Sequence, residues 1–191
     1  VPLKQKNVDT GMGIERTVAM INGKNNVYET DIFLPIIKKI KELSGVNYQK
    51  DDDTTKSMRI IADHIRTSLF IIGDDRGISP SNLGAGYVLR RLIRRAVRHG
   101  KKLNIQSPFM SKIATVVIEM MKDIYPELKR NETRIFDELE KEERKFEETL
   151  EKGMTELEKI LPKLSQNNQD TISGRLAFKL YDTYGFPFEF T

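Results

Sequence analysis

PSNLGAGYVLRRLIRRAVRHG, from Pro80 to Gly100, is the stretch on which the reading of this chain turns. Pro80, Gly84 and Gly86 mark a loop, and Leu89, Leu92, Ile93, Ala96 and Val97 then recur at helical spacing. The pattern predicts an amphipathic helix from Tyr87 to His99 that stops at Gly100 as its C′ residue. Arg90, Arg94, Arg98 and Lys101 line one flank of the apolar stripe, and Arg91, Arg95 and Lys102 the other. Such a helix presents guanidinium forks matched to phosphate geometry. It can equally pair its arginines with an acidic element of the same chain.

The charge pattern around this helix is lopsided. From Arg76 to Ile118 there is no Asp or Glu, while Arg76, Lys112 and the seven cations just named are positive. From Glu127 to Lys159 the balance reverses, with 12 acidic against 8 basic residues in what reads as one long helix. The net charge of +4 conceals this separation. The basic stretch is the candidate for a polyanion, and the acidic one reads as a solvated face.

Moving outward, Ser57 to Ile72 carries Met58, Ile61, Ala62, Ile65, Leu69 and Ile72 on one side and is expected at the centre of the core. Asp63, His64 and Arg66 within it read as local hydrogen bonding. Helices are also expected over Ile14 to Ile21, Ile32 to Leu43 with Thr30 or Asp31 as N-cap, Pro108 to Lys122, and Ile172 to Leu180. Val8 to Thr10 reads as a strand end, Val46 to Lys56 and Ser165 to Asp170 as polar loops, and Tyr181 to Phe190 as an aromatic loop packed on the domain. The Asp51, Asp52, Asp53 run lacks the glycine-punctuated spacing of a calcium loop and reads as a solvated loop and cap donor. Along the acidic stretch Phe136, Leu139, Phe146, Leu150, Leu157, Ile160 and Leu164 keep a heptad-like spacing broken by Glu143 and Gly153. That favours packing against the chain's own domain over a coiled coil.

The 191 residues suit one domain or two small ones, with 31% charged and 38% hydrophobic residues. No run approaches the roughly 20 apolar residues of a membrane helix, so no membrane partner is expected. With no cysteine there are no disulfides, thiolate zinc sites or cysteine nucleophiles. His64 and His99 are too few for most histidine metal sites, and no metal ligand set is expected. Nothing in Val1 to Asn7 reads as a signal peptide, so a cytoplasmic location is expected, and the chain reads as a piece of something longer.

Chemistry concentrates in two places. VDTGMGIER, Val8 to Arg16, sets Gly11 and Gly13 before a helix with Arg16 in its first turn, an arrangement in which backbone approaches a ligand and an arginine reaches a triphosphate. GMGIER resembles the third signature motif of class II aminoacyl-tRNA synthetases. The second place is PSNLGAGYVLRRLIRRAVRHG taken with RIIADHIRTSLFIIGD, Arg59 to Asp74, and LYDTYGFP, Leu180 to Pro187. Together these resemble the alanyl-tRNA synthetases over essentially the whole chain. Ala85 stands where that family usually has arginine.

The resemblance implies a mainly α fold: a helical tRNA-recognition domain with a long amphipathic helix over residues 26–191, preceded over 1–25 by a short strand-helix remnant of the class II catalytic core. It implies a parent reaction in which ATP, with Mg2+, activates alanine for transfer to tRNA. Gly11, Gly13 and Arg16 would belong to the ATP site. Asn82 and Asp182 match the positions associated with the G·U wobble pair of the alanine acceptor stem, and Arg90, Arg91, Arg94, Arg95, Arg98, Lys101 and Lys102 would hold its backbone. Without the first two class II motifs no complete catalytic set is present. The piece is expected to be monomeric, inactive alone in alanine activation, and without tightly bound cofactor. The reading from another class is a helical protein-interaction module that uses the acidic helix.

Overall fold

A computed structural model shows the chain as an assembly of helices. It describes residues 4–6, 11–166, 171–184 and 186, with backbone alone at 160, 163–166, 182 and 184. Among these residues there is no strand. The strand end expected at Val8 to Thr10, most of the linker before Thr171 and the loop after Phe186 lie outside them.

Helix α3, Asp52–Gly73, is the centre of the core, as its periodicity predicts. Met58, Ile61, Ala62, Ile65 and Leu69 are completely buried, in the i, i+3, i+4, i+7, i+11 pattern that puts them on one face. It begins five residues before the expected Ser57, because Asp51 is an N-cap whose Oδ1 accepts from Thr54 N at 2.6 Å. Asp52 and Asp53 fill the first turn, where carboxylates suit the positive end of the helix dipole. The acidic run is thus a start signal.

Helix α1, Ile14–Ile21, forms as expected. Helix α2, Leu34–Ser44, starts later than expected, and neither Thr30 nor Asp31 caps it. Thr30 Oγ1 instead donates to Val27 O at 2.6 Å and closes a 3-10 turn over Val27–Glu29. Pro35 fits the first turn, and α2 ends at Gly45 with φ 69°, a left-handed conformation that favours glycine.

Helix α4, Gly84–Lys102, buries Leu89, Ile93, Ala96 and Val97 against α3. It does not stop at Gly100. A Cβ there would stand 2.3 Å from Phe109 Cζ, so the missing side chain makes room for a buried ring while the helix runs on. Helix α5 spans Met110–Met121. The single acidic helix expected from Glu127 is instead a short α6, Pro126–Arg130, and α7, Glu132–Gln166, interrupted at Asn131. Pro126 supplies a good first helical residue. Leu128 seats over Gly73, where a Cβ would lie 2.6 Å from Leu128 Cδ2, and Asn131 Nδ2 donates to Gly73 O at 2.9 Å.

At 35 residues α7 is about 52 Å long, and it packs across α3, α4, α5 and α8. Ile135, Leu139, Phe146, Leu150 and Leu157 are buried, so the apolar seam serves its own domain. Both breaks in the heptad pattern have structural partners. Glu143 is buried and caps α5 from outside, its two carboxylate oxygens accepting from Phe109 N at 3.1 Å and Met110 N at 3.2 Å. Burial pushes its carboxyl above the usual range, against the lowering pull of those N–H groups. Gly153 faces Phe186, whose Cδ2 would be 2.1 Å from an added Cβ. Helix α8, Gly174–Tyr184, includes Tyr181 and Asp182, which were expected in a loop, and only then does the chain turn to bury Phe186.

Candidate nucleic-acid interface

The loop before α4 is folded onto the first turn of that helix. Ser81 N donates to Gly86 O at 3.0 Å, and Ser81 Oγ donates to Leu83 O at 3.0 Å. A Cβ at Gly86 would meet Ser81 Oγ at 2.3 Å, and Gly84 has φ 56°, so two glycines permit the tight return. Asn82 stands exposed at its apex.

The two flanks of α4 have different fates. On the first, Glu142 of α7 receives Arg94 Nε at 2.6 Å and Arg90 Nε at 3.1 Å, both on Oε1. Arg94 also lies over the Phe146 ring at 5.1 Å, and Lys101 Nζ is 3.2 Å from Glu147 Oε1. Arg90 reaches back as well, its Nη1 donating to Asn82 Oδ1. On the second flank Arg91, Arg95 and Lys102 are exposed. Arg91 leans on the Tyr87 ring at 5.9 Å, and Lys102 has only a loose 4.0 Å approach to Asp53. Arg98, of the first flank, is partly buried. The spacing of the arginines showed two rows; which row an acidic neighbour would engage depended on the placement of α7.

Gly11, Gly13 and Arg16 lie at the start of α1, all exposed. Gly13 is the extended N-cap residue with no side-chain cap, and the Arg16 stem approaches to 3.6 Å from where its Cβ would be. Glu15 ties this turn to α3, accepting from Arg66 Nη2 at 2.8 Å. The Arg66 guanidinium lies over Phe33 at 5.3 Å and Phe70 at 5.9 Å. First-turn backbone hydrogen bonding and Arg66 hold the Glu15 carboxyl below its usual range. Asp182 is placed on α8, its side chain outside the described residues. Tyr181 is exposed and Phe186 buried.

The sequence did not point to Glu142 or to the partner of Arg66. Nothing near Glu142 in sequence distinguishes it from the acids beside it, and Arg66, read as part of local hydrogen bonding within α3, instead reaches Glu15 at the start of α1. Among the described residues no group of three His, Asp or Glu side chains could hold a metal ion. No helix among them is long and apolar enough to cross a membrane.

The sequence profile of the family described as tRNA synthetases class II (A) matches residues 1–191. The chain belongs to that family. It is similar to an alanine–tRNA ligase of Treponema denticola, with 65% identity over 190 residues covering 100% of this chain and 32% of the relative. The corresponding ligase of Treponema pallidum is 53% identical over 190 residues, covering 100% and 31%, and that of Natranaerobius thermophilus 47% over 189 residues, covering 99% and 21%. The chain therefore spans about a third or less of the length of these curated relatives.

Proposed function

We propose that this chain is the tRNA-reading part of an alanine–tRNA ligase, the enzyme class that converts ATP, alanine and tRNA to alanyl-tRNA, AMP and pyrophosphate. The observation that carries this reading is Asn82, exposed on a glycine-shaped loop at the head of a helix whose outer row is Arg91, Arg95 and Lys102. A wobble G·U pair leaves the guanine 2-amino group in the wide, shallow minor groove of A-form RNA without a base-pair partner. Asn82 offers an amide and Asp182 a carboxylate to that groove, while the exposed cations hold phosphate without reading sequence. Arg90, Arg94 and Lys101, engaged with Glu142 and Glu147, orient the surface and add positive potential to it.

Residues 1–25 are assigned to the end of the catalytic core and 26–191 to the recognition domain. Ile14, Met20 and Ile21 are exposed on a helix whose Ala19 is buried, which supports α1 as an element that also faces a second body. Gly11 and Gly13 bring backbone N–H groups to the N-terminus of α1, and Arg16 adds a cation, an arrangement suited to the phosphates of ATP. These residues bind and orient, and the chain alone is assigned no alanine activation.

The test is equilibrium binding of alanine acceptor-stem hairpins carrying G·U or G·C, across a salt series, for the native chain, Asn82→Ala, Asp182→Ala and Arg95→Gln. The expected result is a G·U preference lost in the first two variants, the scale for one good base contact being about 1–3 kcal/mol. Arg95→Gln should weaken both hairpins alike and flatten the salt dependence. Equal affinity for both hairpins in the native chain would overturn the reading.

A further inference from the structure

The amide of Asn82 has a partner that orients it. Its Oδ1 accepts from Arg90 Nη1, so the carbonyl faces the guanidinium and the NH2 group faces away. The opposite rotamer would set NH2 against an obligatory donor, since an arginine fork has no acceptor. Arg90 is itself fixed, because its Nε is bound by Glu142, which keeps only 5% of its side-chain surface exposed. Arg94 shares the same carboxylate oxygen from one turn further along α4. A buried carboxylate on α7 thus holds two guanidiniums that would otherwise repel each other, and one of them passes its orientation on to Asn82.

We propose that Glu142 is a positioning residue for RNA discrimination: through Arg90 it fixes the amide of Asn82 with its donor side outward. The groove acceptors that such a donor meets are a pyrimidine O2 or a ribose 2′-OH. This rests on the reading of Asn82 as an RNA contact. It has an unusual consequence for charge. Removing Glu142 deletes an anion and releases Arg90 and Arg94, so general attraction for RNA should rise while discrimination falls. A loss of folding would lower both.

The experiment compares the native chain with Glu142→Ala, Glu142→Gln, Arg90→Lys and Asn82→Ala, using G·U and G·C acceptor-stem hairpins. It also measures the 15N relaxation of the Asn82 side-chain amide without RNA. Glu142→Ala should lower the G·U to G·C affinity ratio about tenfold, toward the value of Asn82→Ala. Its affinity for the G·C hairpin should stay equal or increase, with a steeper salt dependence. The Asn82 amide should become mobile in the same variant. Glu142→Gln keeps a carbonyl acceptor and should restore much of the ratio, whereas Arg90→Lys, lacking the fork, should not.

A Glu142→Ala chain that keeps the native ratio while Asn82→Ala loses it would overturn the proposal and leave the functional reading standing. An unchanged ratio in Asn82→Ala would overturn both. Parallel loss of G·C binding and of the folded circular-dichroism signal in Glu142→Ala would reduce Glu142 to a structural role and overturn the proposal as well.

Discussion

Acidification should loosen this domain at one identifiable contact. His99 of α4 is buried against α3, with Nδ1 3.0 Å from Ser57 Oγ. Burial pushes its pKa down from 6.5 to about 4, helped by Arg98, Arg95, Lys102 and His64 nearby. The unfolded chain therefore binds a proton at His99 before the folded chain does, so stability is full above about pH 6.5 and is lost as pH falls toward 4. With one pKa unit equivalent to about 1.4 kcal/mol, the loss is about 0.8 kcal/mol at pH 6, about 2 at pH 5 and about 3 at pH 4. Urea unfolding of the native chain and His99→Asn over pH 4 to 7.5 isolates this contribution. The asparagine keeps a polar atom near the Nδ1 position and does not titrate. The difference between the two stabilities should move by about 2 kcal/mol between pH 7 and 5, carboxylate titrations cancelling. A flat difference, or a His99 ring resonance titrating near 6.5, would refute the reasoning.

Glu143→Ala leaves the Phe109 and Met110 N–H groups buried without an acceptor, at about 1–3 kcal/mol each, offset in part by removal of a buried carboxyl. Urea midpoints should show a net loss, smaller in Glu143→Gln, and amide exchange should accelerate at the start of α5. Gly153→Ala places a methyl where the Phe186 ring sits. Limited proteolysis should cut the segment following α8 faster, while the exchange protection of α3 and α4 stays native.

The elements legible in the sequence were those whose cause is local. The apolar period of α3 and the stripe of α4 announce themselves because a helix must bury one face wherever it is placed. Gly100, Glu143 and Gly153 were misread for a single reason: each owes its identity to a side chain or backbone outside its own helix. Gly100 answers to Phe109, Glu143 to the N-terminus of α5, and Gly153 to Phe186. Read along one helix, a glycine is a stop and a buried glutamate a fault in the seam. The candidate site divides in the same way. Two arginine rows followed from helical spacing, but the partition into a row held by acids and a row left to solvent depends on where α7 crosses α4. Asp51 shows the converse, because its partner is three residues away and the acidic run could be read as a cap donor.

Helix α7 can also be viewed as a ruler. Glu142 marks the clamp on α4, Glu143 the cap on α5 and Gly153 the notch for Phe186, the last about 15 Å along the axis from the cap. Adding one residue between 143 and 153 would turn the notch by about 100° and carry it off the face that α8 docks on. Adding seven would bring the phase back to within about 20° but shift the dock by about 10 Å. Neither insertion keeps both ends in place. The spacing between clamp and notch is therefore quantised, and the length of this part of the chain sets how far the dock of α8 stands from the clamp on α4.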